Sequence, residues 1–161
     1  MMRVFIGLGS NLADPIEQVL TAVKALQLLP DTNVIKSSSL YASPPMGPQD
    51  QPDYTNAVVA LDTTLSAHNL LDQLQEIELQ HGRERNRHWG ERTLDLDLLI
   101  YGDKIFNDER LQVPHPGMPL RSFVLYPLQE IAPELIIPGM GTIEQLCTQC
   151  PLDGLSRIEN S

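Results

Sequence analysis

Positive charge is scarce in this chain: 11 lysines and arginines face 21 aspartates and glutamates, leaving a net charge of −10. A protein that grips nucleic acid broadly needs the opposite balance, so the composition argues against such a surface. Long apolar runs are missing too, and none approaches the length a membrane-spanning helix requires. The start, Met1-Met2-Arg3-Val4, lacks a secretory apolar region and cleavage site, so the cytoplasm is the expected compartment. Cysteine is limited to Cys147 and Cys150, spaced C-x-x-C. That spacing occurs in redox pairs and in half zinc sites. A zinc site needs two further ligands that no nearby His or Cys supplies, and no thioredoxin-like unit frames the pair. Bystander thiols are the better reading. Aromatics are few as well, with three Phe, four Tyr and one Trp.

What remains is a chain of 161 residues, 42% hydrophobic and 20% charged. These values describe one globular domain over 1–161, large enough to bury a real core. Val4–Leu8 reads as a strand turned by Gly9-Ser10-Asn11. A helix then starts, with Asp14 as cap, Pro15 in the first position and Glu17 completing a capping box. Its expected buried stripe is Ile16, Val19, Leu20, Val23 and Leu26. Val34–Tyr41 predicts a single strand, and residues 43–53 form a loop with four prolines, expected to be a stiffened functional loop. Asn56–Asp62 is the next strand. Ser66 caps a second helix with the stripe Leu70, Leu71, Leu74 and Ile77, ended by Gly82. A further helix is predicted over Arg121–Ile131, with a strand at Leu135–Ile137 and a short terminal helix. The order βαββαβ predicts an α+β fold: a ferredoxin-like sandwich with an antiparallel sheet and additional C-terminal elements. Two helices would cover one face and leave the other for ligands.

The most telling segment is Arg92-Thr93-Leu94-Asp95-Leu96-Asp97-Leu98-Leu99-Ile100-Tyr101. Read as a strand, it puts Asp95 and Asp97 on one face with Cβ atoms roughly 6–7 Å apart, while Leu94, Leu96 and Leu98 turn to a core. Carboxylates that close repel unless a cation lies between them. A pair of Mg²⁺ ions about 4 Å apart would fit, and such pairs serve phosphate chemistry; a solvated face or an arginine-paired patch is the plainer alternative. Just upstream, Arg83, Arg85, Arg87 and Arg92 gather in a stretch that also holds His88 and follows His81. On an acidic protein this local cationic loop suits a small polyanion such as ATP, against a plain solvated loop.

Other motifs fall away. Gly7-Leu8-Gly9-Ser10-Asn11-Leu12 puts Leu12 where a dinucleotide fingerprint needs its third glycine, and no P-loop, nucleophile elbow or H-E-x-x-H occurs. Gly-Ser followed by Asp-x-Asp is shared with nucleotidyltransferases, but there the two motifs lie on successive strands. That class is the rival enzyme reading, and a non-catalytic ferredoxin-like ligand-binding module is the third.

Taken together, Gly9-Ser10-Asn11-Leu12, the run from Tyr41 to Asn56, His88-Trp89-Gly90-Glu91-Arg92-Thr93-Leu94-Asp95-Leu96-Asp97 and Val113-Pro114-His115 resemble the 6-hydroxymethyl-7,8-dihydropterin pyrophosphokinase family of the folate pathway. The match covers nearly the whole chain, and the Trp89-to-Asp97 segment is highly specific. The resemblance implies a Mg-dependent diphosphotransferase that uses ATP as co-substrate and releases AMP. It implies Asp95 and Asp97 as ligands of two Mg²⁺ ions, with Arg83 and Arg92 in the catalytic loops around the triphosphate. Gln75, Glu78, Arg85, Leu98, Arg110, His115 and Arg121 fall on the nucleotide side. Ser43, Pro44, Met46, Tyr54, Asn56 and Phe123 fall around the pterin, where Tyr54 and Phe123 would stack and Asn56 would meet the amide-like edge. Trp89 would close over both substrates as a lid. The partners implied are small molecules, with no nucleic acid or membrane, and a monomer is expected. Ser43 stands where a threonine is common in the family, Pro116 where several relatives carry an aromatic, and the loop before Trp89 is about one residue short. These departures bear on loop timing and nucleotide affinity more than on the reaction.

Overall fold

A run buried on both faces forms the central strand, β1 (Met2–Ser10), in the computed structural model, which describes residues 1–11, 14–45, 52–81 and 94–158. After it come α1 (Pro15–Gln27), β2 (Thr32–Ser37), β3 (Tyr41–Ser43), β4 (Tyr54–Thr63), α2 (Ala67–Gln80) and β5 (Asp95–Tyr101). β4 and β5 flank β1, both antiparallel to it, while β2 and β3 share the far edge of β4, one on each half. The remainder adds the hairpin β6 (Phe106–Asn107) and β7 (Gln112–Val113), then α3 (Ser122–Ile131). The hairpin β8 (Ile136–Ile137) and β9 (Gly141–Thr142), α4 (Ile143–Gln149) and β10 (Ser156–Arg157) follow, and β10 extends the sheet by pairing with β3. Among the described residues this is a mixed α/β molecule with an antiparallel main sheet and four α-helices, none long and apolar enough to cross a membrane.

Alternation along the strands builds two cores. On the first face Val4, Ile6, Leu8, Val59, Leu61, Leu96 and Leu98 meet Val19 and Leu26 of α1 and Leu70 and Leu74 of α2. The second face is not left open as expected: Phe5, Val58, Ala60 and Leu99 lie under Val124, Leu125 and Leu128 of α3 and Ile143 and Leu146 of α4. Apolar residues on both faces of β1 demand a cover on each side, because every exposed methylene would cost about 0.8 kcal/mol.

Two of the one-turn signals hold and a third does not. Ser66 caps α2, accepting the Asn69 N–H at 3.2 Å, and Pro15 opens α1 as expected. Asp14 does not cap with its side chain: it sits in the left-handed region at φ 64°, and its carbonyl accepts the Gln18 N–H instead. The stripe of α1 is also narrower than expected. Val19, Ala22 and Leu26 are buried, while Ile16 and Leu20 are exposed. The strand expected over 34–41 is broken. Thr32 pairs with Thr63 and Ser43 with Tyr54, so residues 32–43 must absorb two extra positions beside 54–63. One slip lies between Val34 and Lys36. The other lies at Ser39–Leu40: Ser38 bonds the Val58 carbonyl at 2.9 Å, yet Tyr41 already pairs with Asn56. Each slip sets two residues against one, as a β-bulge does, and so re-aims the side chains beyond it.

Candidate active site

Three strands meet in register on the second face. Asp95 of β5 lies opposite Gly9 of β1, and Gly9 opposite Asn56 of β4; one step along, Asp97, Gly7 and Val58 line up the same way. Direct partners share a face, so Asp95 and Asn56 stand two strands apart, about 10 Å, with glycine between them. A Cβ added at Gly9 would lie 3.3 Å from Asn56 Oδ1 and 3.8 Å from the Tyr54 ring. The missing side chain therefore leaves the floor of a shallow trough between carboxylates and amide, with Tyr54 leaning over it. Asp95, Asp97 and Tyr54 are half-buried, which leaves them accessible.

The amide end is tightly held. Asn56, 3% exposed, donates through Nδ2 to Ser43 Oγ at 2.7 Å. Asn11, 1% exposed, donates to the Pro52 carbonyl at 3.1 Å and ties the end of β1 to the chain entering β4. The sequence places Asn11 in a turn and in the family motif but not among the site residues; a polar residue directly after a buried strand is the available signal. Pro44 is exposed beside Ser43. Phe123, half-buried on the first turn of α3, carries the Arg121 guanidinium over its ring at 5.8 Å.

The carboxylate end adjoins His115. Its N–H donates to the Leu99 carbonyl at 2.9 Å, and its Nδ1 accepts the Gly117 N–H at 3.1 Å. With Nδ1 accepting, the neutral ring carries its proton on Nε2 and offers a donor there. Burial holds the imidazole below its ordinary range, Asp97 nearby pulls it up, and Arg121 pushes it down again. His115, Asp97 and Arg121 are thus close enough to feel one another. Gly117 matters to this group: a Cβ there would lie 3.0 Å from the Arg121 guanidinium carbon.

Other candidates from the sequence sit differently. Glu78 is not a helix-surface residue but 5% exposed, and its carboxylate accepts the Leu96 N–H at 2.7 Å, covering the outer edge of β5. A carboxylate committed to an edge amide is a strand cap first. Leu98 buries its side chain in the first core, so only its main chain can face a ligand. Gln75 and Arg110 are drawn together on the far side of α2: Arg110 bonds Asp72 at 2.6 Å and Gln75 at 3.4 Å. Met46, Arg83, Arg85, Trp89 and Arg92 lie outside the described residues. Among those described, no three His, Cys, Asp or Glu side chains converge on a metal position. Cys147 and Cys150 are buried, free thiols in the second core, and burial pushes Cys147 up to about 11. A thiol so protonated is a poor nucleophile.

An antiparallel mixed α/β fold with two half-exposed carboxylates at one end of a strand row and a fixed amide beside an aromatic at the other belongs to the class of folds that can seat a small ligand on a sheet face. The particular family follows from comparison. Residues 5–133 match the family described as 7,8-dihydro-6-hydroxymethylpterin-pyrophosphokinase, and the chain belongs to it. It is 48% identical over 158 residues to 2-amino-4-hydroxy-6-hydroxymethyldihydropteridine pyrophosphokinase of Pseudomonas aeruginosa, covering 98% of each chain. It is 52% identical over 149 residues to the Haemophilus influenzae protein of the same name, covering 92% of this chain and 93% of that one. Among solved structures it is similar to wild-type Plasmodium falciparum HPPK-DHPS with pteroate, with a TM-score of 0.71 at 13% identity. That match covers 92% of this chain but 44% of the other, and it shows the fold alone. The nucleotidyltransferase and binding-module alternatives find no support in these relatives.

Proposed function

We propose that this chain transfers the diphosphate of ATP to the hydroxymethyl oxygen of 6-hydroxymethyl-7,8-dihydropterin, giving the pterin diphosphate and AMP. Family membership makes it a pyrophosphokinase of folate biosynthesis. The observation that carries the residue-level reading is the in-register row Asn56–Gly9–Asp95 beside Val58–Gly7–Asp97. The two ends of that row differ in chemistry as donor and acceptor do.

At the amide end, Asn56 is held by Ser43 and presents a fixed polar group to the amide-like edge of the pterin. Tyr54 and Phe123 supply apolar faces for its ring, Pro44 stands beside Ser43, and the family resemblance adds Met46 to the pterin side. At the other end, His115 offers an Nε2–H and Arg121 a planar cation to phosphate oxygens. The family resemblance assigns Arg83, Arg85, Arg92 and Trp89 to the nucleotide as well. Gln75, Glu78, Leu98 and Arg110 frame the nucleotide from α2, β5 and the β6–β7 hairpin, Glu78 through the edge strand it holds. The pterin hydroxyl attacks the β-phosphorus, the bond to the bridging α–β oxygen breaks, and AMP departs with that oxygen. The hydroxyl proton passes to water as the new O–P bond forms. Holding both reactants in line accounts for much of the rate.

Two half-exposed carboxylates on one strand face are a donor set that suits Mg²⁺, which takes few carboxylates and fills its shell with water and phosphate oxygens. Asp95 and Asp97 would hold two such ions, and the ions would neutralise charge on the phosphates. The strand order β5-β1-β4, with β2 and β3 at the edge, supports the ferredoxin-like reading of the sheet. We read the chain as a single cytoplasmic domain acting as a monomer. The test is to supply MgATP and 6-hydroxymethyl-7,8-dihydropterin and identify the nucleotide product. AMP together with pterin diphosphate is expected; ADP, pyrophosphate or no turnover overturns the proposal.

A further inference from the structure

Glu130 stands on the last turn of α3, at the opposite end of that helix from Phe123, and has no part in the chemistry above. Its carboxylate fills the second slip in the edge strand. The Ser39 N–H lies 3.1 Å from both oxygens, Ser39 Oγ donates at 2.9 Å and Tyr41 Oη at 2.7 Å. From β10, Arg157 closes over the group, 3.2 Å from Glu130 and 5.7 Å above the Tyr41 ring. Burial pushes the Glu130 carboxyl up, but the bonds from Tyr41 and Ser39 and the Arg157 charge outweigh it and leave it below its ordinary value. The group is a satisfied anion, not a vacant site.

Its place in the register gives it a consequence. Two residues, Ser39 and Leu40, stand against the single residue Ala57, and a shift of one position turns every later side chain to the other face. Beyond the slip, the residues concerned are Tyr41 and Ser43, and Ser43 is what holds Asn56. A bulge has an amide with no partner in the ladder, and here Glu130 takes it. We propose that Glu130 is a positioning residue for the acceptor end of the site. By binding the slipped Ser39 amide and the Tyr41 hydroxyl, it locks the register that aims Ser43 at Asn56. The functional half of this inference rests on the reading of Ser43 and Asn56 as pterin-side residues.

The experiment compares Glu130→Ala and Glu130→Gln with the unaltered full chain, by steady-state kinetics for both substrates and by amide NMR at Ser43 and Asn56. Glu130→Ala is expected to raise KM for the pterin about tenfold, the scale of losing bonds to a charged group, with KM for ATP within about twofold. The Ser43 and Asn56 resonances should move with it. Glu130→Gln keeps a planar acceptor and should recover part of the loss; it also carries the comparison if the alanine variant fails to fold. An equal rise in both KM values overturns the proposal in favour of general destabilisation. An unchanged pterin KM with unmoved resonances overturns the positioning role. An unchanged KM with moved resonances overturns the pterin-side reading instead.

Discussion

Asp95 and Asp97 stand beside glycines on the neighbouring strand, and that pairing decides what two carboxylates can do there. A side chain at position 7 would meet Leu99 and one at position 9 the Asn56 amide, so glycine at both lets these neighbours close in beside the carboxylates. Like charges on one face repel, so the arrangement is tolerated best when cationic or phosphate-bridging partners share it. Because both side chains are half-exposed and outside either core, removing one should leave the fold standing. Asp95→Ala and Asp97→Ala are each expected to lower kcat at least about a hundredfold, the scale of removing one charge-stabilising group. Circular dichroism should stay unchanged. Near-normal turnover in either variant would sink the carboxylate-pair mechanism. The pair itself was legible in the sequence, because period two is a local property of one strand. The glycine floor was not, since nothing in the chain says which residues of β1 oppose which residues of β5.

The short link before α3 gathers His115, Gly117 and Arg121 at the carboxylate end. His115 is pinned by its own amide to Leu99, and its ring by the Gly117 amide, so this turn is an extension of β5 rather than a free loop. Gly117 keeps ordinary helical-side dihedrals, with φ −82°, so its role is space rather than conformational freedom. The Arg121 guanidinium occupies that space and reaches Phe123. Gly117→Ala should therefore push the guanidinium aside without disturbing the backbone. A rise of a few-fold in KM for ATP is expected, matching about 1 kcal/mol of lost stacking and placement. In an Arg121→Ala background the same substitution should do nearly nothing, since both changes act on one contact. Additive effects in the double variant would show that Gly117 acts by another route. Helix α3 itself was foreseen at nearly its observed bounds, and so were Ser66 and Pro15, each a signal confined to one turn. The broken edge strand and the burial of Glu78 were not, because a bulge or an edge cap exists only relative to a partner strand.

At the scale of the whole molecule, one sheet serves two cores, and the same three strands feed both. Along β1, Val4, Ile6 and Leu8 enter the first core and Phe5 the second; along β4, Val59 and Leu61 divide from Val58 and Ala60 in the same way. Neither α1 and α2 nor α3 and α4 can be stripped off without exposing strand residues whose other neighbours depend on the opposite layer. The two faces should therefore melt together. Leu70 and Leu125 are both fully buried, one on each side, and offer matched probes. Leu70→Ala and Leu125→Ala should each cost about 2–5 kcal/mol, the range for a buried leucine reduced to alanine. Each variant should still unfold in one transition, with fluorescence and far-ultraviolet circular dichroism coinciding. If Leu125→Ala instead splits the curve, leaving the first core intact while the α3–α4 layer melts early, the layers are independent. The candidate site would then rest on the weaker of the two, because Phe123 and Glu130 belong to α3.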